Sequence, residues 1–321
     1  MTRIVEATEE GLKIAALIIK RGGLVAFPTE TVYGLGADAL NPEAVAKIFE
    51  AKERPFFDPL IVHIADVKEL DLLWLYIDDR AKALIERFWP GPLTIVLPKK
   101  DIVPDIVTAG LNTVAVRMPS HPVALRLIRE SETPIAAPSA NRFGYLSPTM
   151  PEHVLKQLGG RIDLIIDGGR TPVGVESTII DLSEETPLLL RPGGLPVEEI
   201  ERVIGKVKML TESEKPRSPG QLPRHYSPRT PLRIIEDENF EVPFGIKAGL
   251  LAFKEAKYRE KFFAVEVLSP SGDLKEAACN LFPCLHRLDD AGLDIIYAEA
   301  IPEEGLGRAI MDRLRKAQAK R

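Results

Sequence analysis

Two cysteines and five histidines in 321 residues leave few ligands for a zinc or iron centre, and no metal-ligand spacing brings them together. Cys279 and Cys284 fall five residues apart in one expected helix, on different sides of it, which disfavours both a disulfide and a metal pair and leaves ordinary core or half-buried thiols. Long apolar runs are missing too. None approaches the ~20 residues of a membrane span, and the opening MTRIVEATEE turns acidic at once instead of forming a signal-peptide core, so a cytoplasmic protein is expected. P-loop, nucleophile elbow and metalloprotease helix are all absent. Gly34, Gly36 and Ala39 formally match a dinucleotide fingerprint, but TETVY separates them from the apolar LVAF that a true fingerprint follows directly; the glycines are expected to serve tight loop turns instead. A net charge of −5 argues against a surface that coats nucleic acid, while leaving room for a local basic cleft.

What the chain has is ordinary for a globular protein: 45% apolar and 28% charged residues, in a length that exceeds one usual core and suggests two domains. A helix is expected from Thr8 to Gly22-Gly23, another after the Asn41-Pro42-Glu43 start and ending near Glu53, and others from Ser120-His121-Pro122 and from a capping box at Thr149-Met150-Pro151-Glu152. LVAF, PLIVHI, LTIVL, TVAVR, PIAAP, DLIID, STIIDL and PLLLR read as strands. Because the elements do not alternate regularly, residues 1–205 are expected to form an α+β domain with a sheet of mixed direction. Residues 206–231 read as a linker, and 232–321 as a small α/β domain with parallel strands and a last helix over Glu304 to Ala319.

Chemistry-bearing residues gather at the ends of these elements. Lys52 and Arg54 follow a helix, Arg117 and Arg191 end strands, and Arg142 lies in a loop; singly each reads as a surface charge, together in one cleft they would grip anions. Lys52 and Arg54 are expected to be exposed to that cleft. Short hydroxyls surround them at Thr29, Thr31, Thr113, Ser139, Ser147, Ser177 and Thr178. His63 alternates with Val62 and Ile64, which places it on the opposite face of its strand. The linker holds RSPGQLPRHYSPRTPL, with four prolines and three arginines and no helical or strand periodicity.

FPTETVYGLGADA, KERPFFDPLIVHI, WPGPLTIVL, TVAVRMP, APSAN with a following SPT, VESTIIDL and LLRPGG, in this order, resemble the YrdC/Sua5 family of threonylcarbamoyl-AMP synthases. The tail LFPCLHRLDDAGLDIIYAEAIPEEGLGRAIMDRL resembles the extra C-terminal domain of the long, Sua5-type members, so the likeness covers nearly the whole chain. The resemblance implies a YrdC-like twisted sheet joined to a small Rossmann-like domain, and an enzyme that makes threonylcarbamoyl-adenylate and pyrophosphate from L-threonine, bicarbonate or CO2, and ATP with Mg2+. Other proteins would then pass the group to adenosine 37 of tRNA. On this likeness Lys52 and Arg54 match the basic pair beside the phosphates. Thr31, His63, Arg117, Ala137 and Ser177 match the threonine pocket, and Arg54, Asp58, Thr113, Ser139, Ser147, Arg191 and Tyr226 match the ATP site, with Asn141 shaping its loop. Asp58 stands where members commonly carry asparagine, which puts a carboxylate near a polyanion unless Mg2+ or an arginine compensates it.

A carbamate and its mixed anhydride with phosphate are lost readily to water, so such a site is expected to close. The family's interdomain segment crosses the site mouth, which gives Arg224, His225 and Tyr226 a reason that a plain proline-rich spacer lacks. Two rivals remain at this level: a protein that binds duplex RNA or tRNA through the first domain, as in ribosome maturation, and a carbamoyltransferase, whose carbamoyl-phosphate modules are not visible.

Overall fold

The computed structural model describes residues 1–209, 216–222, 225–236, 241–255 and 259–318. Its larger sheet has eleven strands among the described residues. Their order runs Arg3–Glu6, Leu164–Asp167, Val25–Pro28, Tyr33–Asp38, Ile135–Ala136, Ile61–His63, Thr113–Arg117, Leu93–Pro98, Thr178–Asp181, Leu188–Arg191 and Lys208–Met209. Parallel and antiparallel pairs mix along it, as the irregular element order predicts. The last strand reaches past residue 205, because Lys208–Met209 pairs in parallel with Leu188–Leu189.

Period-2 alternation divides this sheet into two faces with different fates. Val62, Val114, Val116, Ile95, Leu97 and Ile180 enter one large core beneath helices that supply Val45, Ile48, Phe49, Leu84 and Ile200. On the opposite face, the helices Glu9–Lys20 and Pro122–Ser131 cover only the Val25, Phe27, Leu164 and Ile166 end. Beyond them Ile61, Val96, Ala115, Ile179 and Leu190 form a separate apolar strip with no helix of its own. A cleft opens there. His63, Arg117 and Thr94 point to this same face, since their neighbours in sequence point to the other, and a register shift between Leu189 and Arg191 sets Arg191 opposite Ile179 on it.

Helix starts follow their side-chain chemistry. Thr8 accepts from Gly11 N, and Asn41 accepts from Glu43 N and Ala44 N ahead of Pro42 at the first helical position. His121, not Ser120, caps Pro122–Ser131 through Nδ1. The capping box expected at Thr149 does not form: the helix Pro151–Leu158 starts from Met150 without a side-chain cap, and the Thr149 backbone N–H donates to His153 Nδ1 instead. Gly34 and Gly36 also depart from expectation. They lie inside the strand Tyr33–Asp38, not in a loop, and a Cβ on Gly36 would stand 2.7 Å from Ile135 Cγ2 and 2.8 Å from Phe27 Cε1. Close approach of strands is what selects glycine there.

The C-terminal unit is a four-stranded, wholly parallel sheet in the order Leu232–Ile234, Ile295–Ala298, Ala248–Ala252, Ala264–Val267. Helices Leu274–Asp290 and Leu306–Gln318 pack on it; Ala319, where the sequence ends the last helix, lies outside the described residues. Cys284 is buried and Cys279 half-buried on the first of these helices, both free. Val32, Leu146 and Val175 of the larger unit share one apolar cluster with Tyr226 and with Phe282 and Leu285 of that helix. The two units therefore meet through a continuous core at the edge of the cleft.

Gly36→Ala is expected to lower stability by roughly 1–3 kcal/mol through overpacking against Ile135 and Phe27. Urea unfolding of the variant beside wild type measures it, and an unchanged midpoint would refute the close-packing account.

Candidate active site

The cleft, about 490 Å³ including its open mouth, is lined by residues from most of the family-like motifs and from the linker. Its floor carries Thr31, His63, Arg117, Ala137 and Ser177; Arg54, Ser139 and Arg191 stand around it, and Pro219, His225 and Tyr226 of the linker close it from above. Lys52, Asp58, Thr113 and Ser147 do not line it. Arg142 is on the outer surface, paired with Glu53 at 2.5 Å.

Arg117 is held on three sides. Nη2 donates to Glu30 Oε1 at 2.6 Å, Nη1 to Thr31 Oγ1 at 3.0 Å and Nε to the Gly91 carbonyl at 3.3 Å. A guanidinium has five N–H groups, so with three engaged two remain for a ligand. Glu30 also accepts from the Ser120 N–H at 3.1 Å, which fixes the carboxylate that fixes the arginine. Ser177 Oγ shares a hydrogen bond with Thr94 Oγ1 at 2.8 Å. Arg191 donates through Nε and Nη2 to the Ser177 carbonyl and through Nη1 to the Pro219 carbonyl at 3.3 Å, tying the floor to the linker.

Lys52 and Arg54 are buried, 1% and 5% exposed, contrary to the exposure expected of them. The loop after Ile135–Ala136 folds over the end of their helix and supplies the reason. Lys52 Nζ donates to the carbonyls of Ser139 and Asn141, and Phe143 lies 5.8 Å from the Arg54 guanidinium carbon. Arg54 donates to the carbonyls of Asp58 and Pro59, and its Nη2 stands 2.9 Å from Asp58 Oδ2. An arginine thus compensates the carboxylate at position 58. Burial pushes the Asp58 carboxyl up against the pull of Arg54, Lys52 and Arg191, and burial beside Arg54 holds Lys52 well below the usual lysine range. His63, edge-on to Phe27 with Nδ1 unpartnered, is pushed down to about 3 by burial and then by Arg117, so its ring is neutral at neutral pH.

The linker lies on the loop below it. Ser227 N donates to the Gly144 carbonyl at 2.8 Å, and His225 packs edge-on between Phe143 and Tyr226. Arg217 pairs with Asp181 at 2.7 Å; Arg224 lies outside the described residues. Tyr226 takes φ +59, a left-handed conformation that a bulky residue rarely adopts, and its buried hydroxyl has no partner. Gly220 leaves room for it, because a Cβ there would stand 2.5 Å from that hydroxyl.

Sequence reasoning missed three acidic and basic partners. Glu30 and Glu176 sit inside quoted motifs yet look like any carboxylate, and Arg313 reads as a charge on an amphipathic helix; long-range pairing alone gives them meaning.

A mixed-sheet α/β unit whose arginine-lined cleft is roofed by an interdomain linker suits an enzyme of anionic small molecules. Residues 17–193 match the Sua5/YciO/YrdC family model, described as telomere recombination, and residues 195–319 match the threonylcarbamoyl-AMP synthase C-terminal domain. The threonylcarbamoyl-AMP synthase of Pyrococcus abyssi is 49% identical over 97% of this chain and 94% of its own length, and that of Bacillus subtilis 47% identical over 94% and 91%. The crystal structure of P. abyssi Sua5 complexed with L-threonine superposes with a TM-score of 0.90 at 46% identity, covering 99% of this chain and 97% of the other. The chain belongs to the Sua5/YrdC family of threonylcarbamoyl-AMP synthases, in its two-domain, Sua5-type form.

Stability is expected to fall as pH drops from about 6.5 towards 4. His153 is also pushed down to about 3, by burial and then by His286, and burial takes His286 to about 4. With His63 they stay neutral when folded, whereas the unfolded chain takes up these protons near 6.5, so acid favours unfolding across that window. Denaturant midpoints at successive pH values read the slope; a flat profile would contradict it.

Proposed function

We propose that the protein joins L-threonine, bicarbonate or CO2, and ATP into L-threonylcarbamoyl-adenylate with release of pyrophosphate, and that the product serves modification of adenosine 37 in tRNA. One observation carries the reading: the five residues implied to hold threonine line a single cleft with Arg54, Ser139, Arg191 and Tyr226. The P. abyssi relative with threonine bound supports the amino acid.

The two free N–H groups of Arg117 suit a carboxylate, with Thr31 fixing the guanidinium's plane. The threonine amine attacks the carbon of CO2, forming the N–C bond and losing a proton. A carbamate oxygen then attacks the α-phosphorus, and the bond to the β-phosphate oxygen breaks with its electron pair leaving on pyrophosphate. No covalent enzyme intermediate is needed, so the protein's part is positioning and charge. Arg54 and Arg191, both lining the cleft, are assigned to the phosphates, with Lys52 behind them holding the Ser139 loop. Ile61 is where the cleft meets the apolar strip of Val96, Ala115, Ile179 and Leu190, and alternation along Thr113–Arg117 sets Thr113 on the same face as Ala115. Thr113 lies outside the cleft, and its nucleotide contact rests on the family likeness. Ser147 and Asp58 act one step back, on Glu176 and Arg54.

Mg2+ enters with the nucleotide as Mg·ATP, where it neutralises phosphate charge. Among the described residues no cluster of three acidic, histidine or cysteine side chains forms a cage, and phosphate-bound Mg2+ needs none. No described helix is long and apolar enough to cross a membrane, which suits an enzyme acting beside tRNA in the cytoplasm. No observation favours RNA as the ligand of the cleft.

Purified protein with Mg·ATP, labelled bicarbonate and a panel of amino acids is expected to release pyrophosphate and form a labelled adenylate with threonine; threonine-independent release would refute the function. Arg117→Lys keeps charge but loses the fork, and is expected to raise KM for threonine more than for ATP. Equal damage to both would reassign Arg117. Tyr226→Ala is expected to lower product yield, with Tyr226→Phe in between, since phenylalanine keeps the ring and loses the hydroxyl.

A further inference from the structure

Arg313, on the helix Leu306–Gln318 of the C-terminal unit, is fully buried against the larger unit. Nε donates to Glu176 Oε2 at 2.9 Å and Nη1 to the Pro192 carbonyl at 2.6 Å, while Asp312 Oδ2 lies 2.8 Å from Nη1. Its guanidinium carbon stands 4.9 Å from the centre of the Tyr226 ring, within cation–π range. Glu176 lines the cleft, precedes Ser177 and accepts the Ser147 hydroxyl on its other oxygen. A single guanidinium therefore touches the floor of the cleft and its roof.

Domain docking alone does not call for such a group. The interface already has its apolar cluster, the contact of His286 Nε2 with the Ser147 carbonyl at 3.1 Å, and partly exposed pairs such as Arg308 with Glu198 at 3.0 Å. A buried ion pair is a weak source of stability beside apolar packing of the same volume, and breaking one leaves an uncompensated charge. Its place between Glu176 and Tyr226 has more to do with geometry than with adhesion.

We propose that Arg313 is a positioning residue of the adenylate-forming site, coupling closure of the linker over the cleft, through Tyr226, to the set of the Glu176-Ser177 floor. This rests on the function proposed above. The C-terminal domain is then part of the active site, and the linker is closed only when the last helix is docked.

Electrostatics support the coupling. Burial pushes the Glu176 carboxyl up, but Arg313, Arg191 and the Ser147 hydroxyl outweigh it and hold the group below the usual carboxylate range. The groups around Glu176 are Arg313 and Asp312 of the last helix, Arg191 of the strand Leu188–Arg191, and Tyr226 of the linker. Removing the Arg313 charge leaves burial less opposed, so Glu176 then protonates at higher pH.

The test uses the full chain with Arg313→Met, Arg313→Lys and, as an interface control, Arg308→Met. Kinetics are normalised to folded protein, pH profiles are recorded, and protease cleavage within residues 216–231 is followed with and without Mg·ATP and L-threonine. Arg313→Met is expected to lose up to roughly a hundredfold in kcat/KM for ATP, the scale of a small misplacement of reacting groups. It is also expected to lose ligand protection of the linker and to move the acid limb of its profile to higher pH. Arg313→Lys, readable even if the methionine variant does not fold, is expected to restore the acid limb but not the protection, because lysine returns the charge without the planar stack and fork. Unchanged kinetics, profile and protection in both Arg313 variants would overturn the proposal. So would the same losses in Arg308→Met, which would make them effects of docking. Wild-type protein that releases no pyrophosphate with threonine refutes the function instead, and linker protection by Mg·ATP still reads the coupling separately.

Discussion

Three buried arginine–carboxylate pairs, Arg54 with Asp58, Arg117 with Glu30 and Arg313 with Glu176, are the condition on which the cleft exists. A guanidinium cannot lose its proton to escape burial, so each has to be met by an anion or by carbonyls. The carboxylates come from the loop after a helix, the hairpin turn and the edge of a strand, and each fixes its arginine's direction before any ligand arrives. That is preorganisation in the useful sense: the donors already point, and little of the binding energy has to be spent on aligning them.

The same pairs explain why the sheet can leave part of one face without a helix. Ile61, Val96, Ala115, Ile179 and Leu190 are apolar and would seek cover. Cover comes from the linker, which is anchored by Gln221 to the Leu190 carbonyl, Arg191 to Pro219 and Arg217 to Asp181, while Arg313 ties the last helix to Glu176 beside it. Polar anchors hold a removable roof better than a fully apolar contact would, since water or an anionic ligand can satisfy the same arginines once the roof lifts.

Much of this was legible in the sequence where a residue's role is local or carried by a motif. Asn41 before Pro42 announced its helix, and β-branched runs announced the central strands. Thr31, His63, Arg117, Ala137 and Ser177 came from a family likeness over several short motifs, and they share one cleft. What stayed hidden depends on distant partners. Gly36 is small because Ile135 and Phe27 approach it, and the Thr149 N–H donates to His153 while the helix starts uncapped at Met150. Lys52 and Arg54 looked like surface charges at a helix end because the loop that buries them begins some eighty residues later, at Ser139. Glu176 and Arg313 are 137 positions apart, and no local pattern links them.

Tyr226 shows why closure has to be reversible. Its positive φ costs free energy, so the closed linker carries local strain that the surrounding contacts have to offset. Those contacts are the Arg313 guanidinium against its ring, His225 edge-on to it and the tilted Phe282, the first and last from the C-terminal unit. A hydrogen-bond acceptor brought to the buried Tyr226 hydroxyl would add to those contacts and favour the closed linker. A linker with an ordinary backbone at this position would close more firmly and release more slowly.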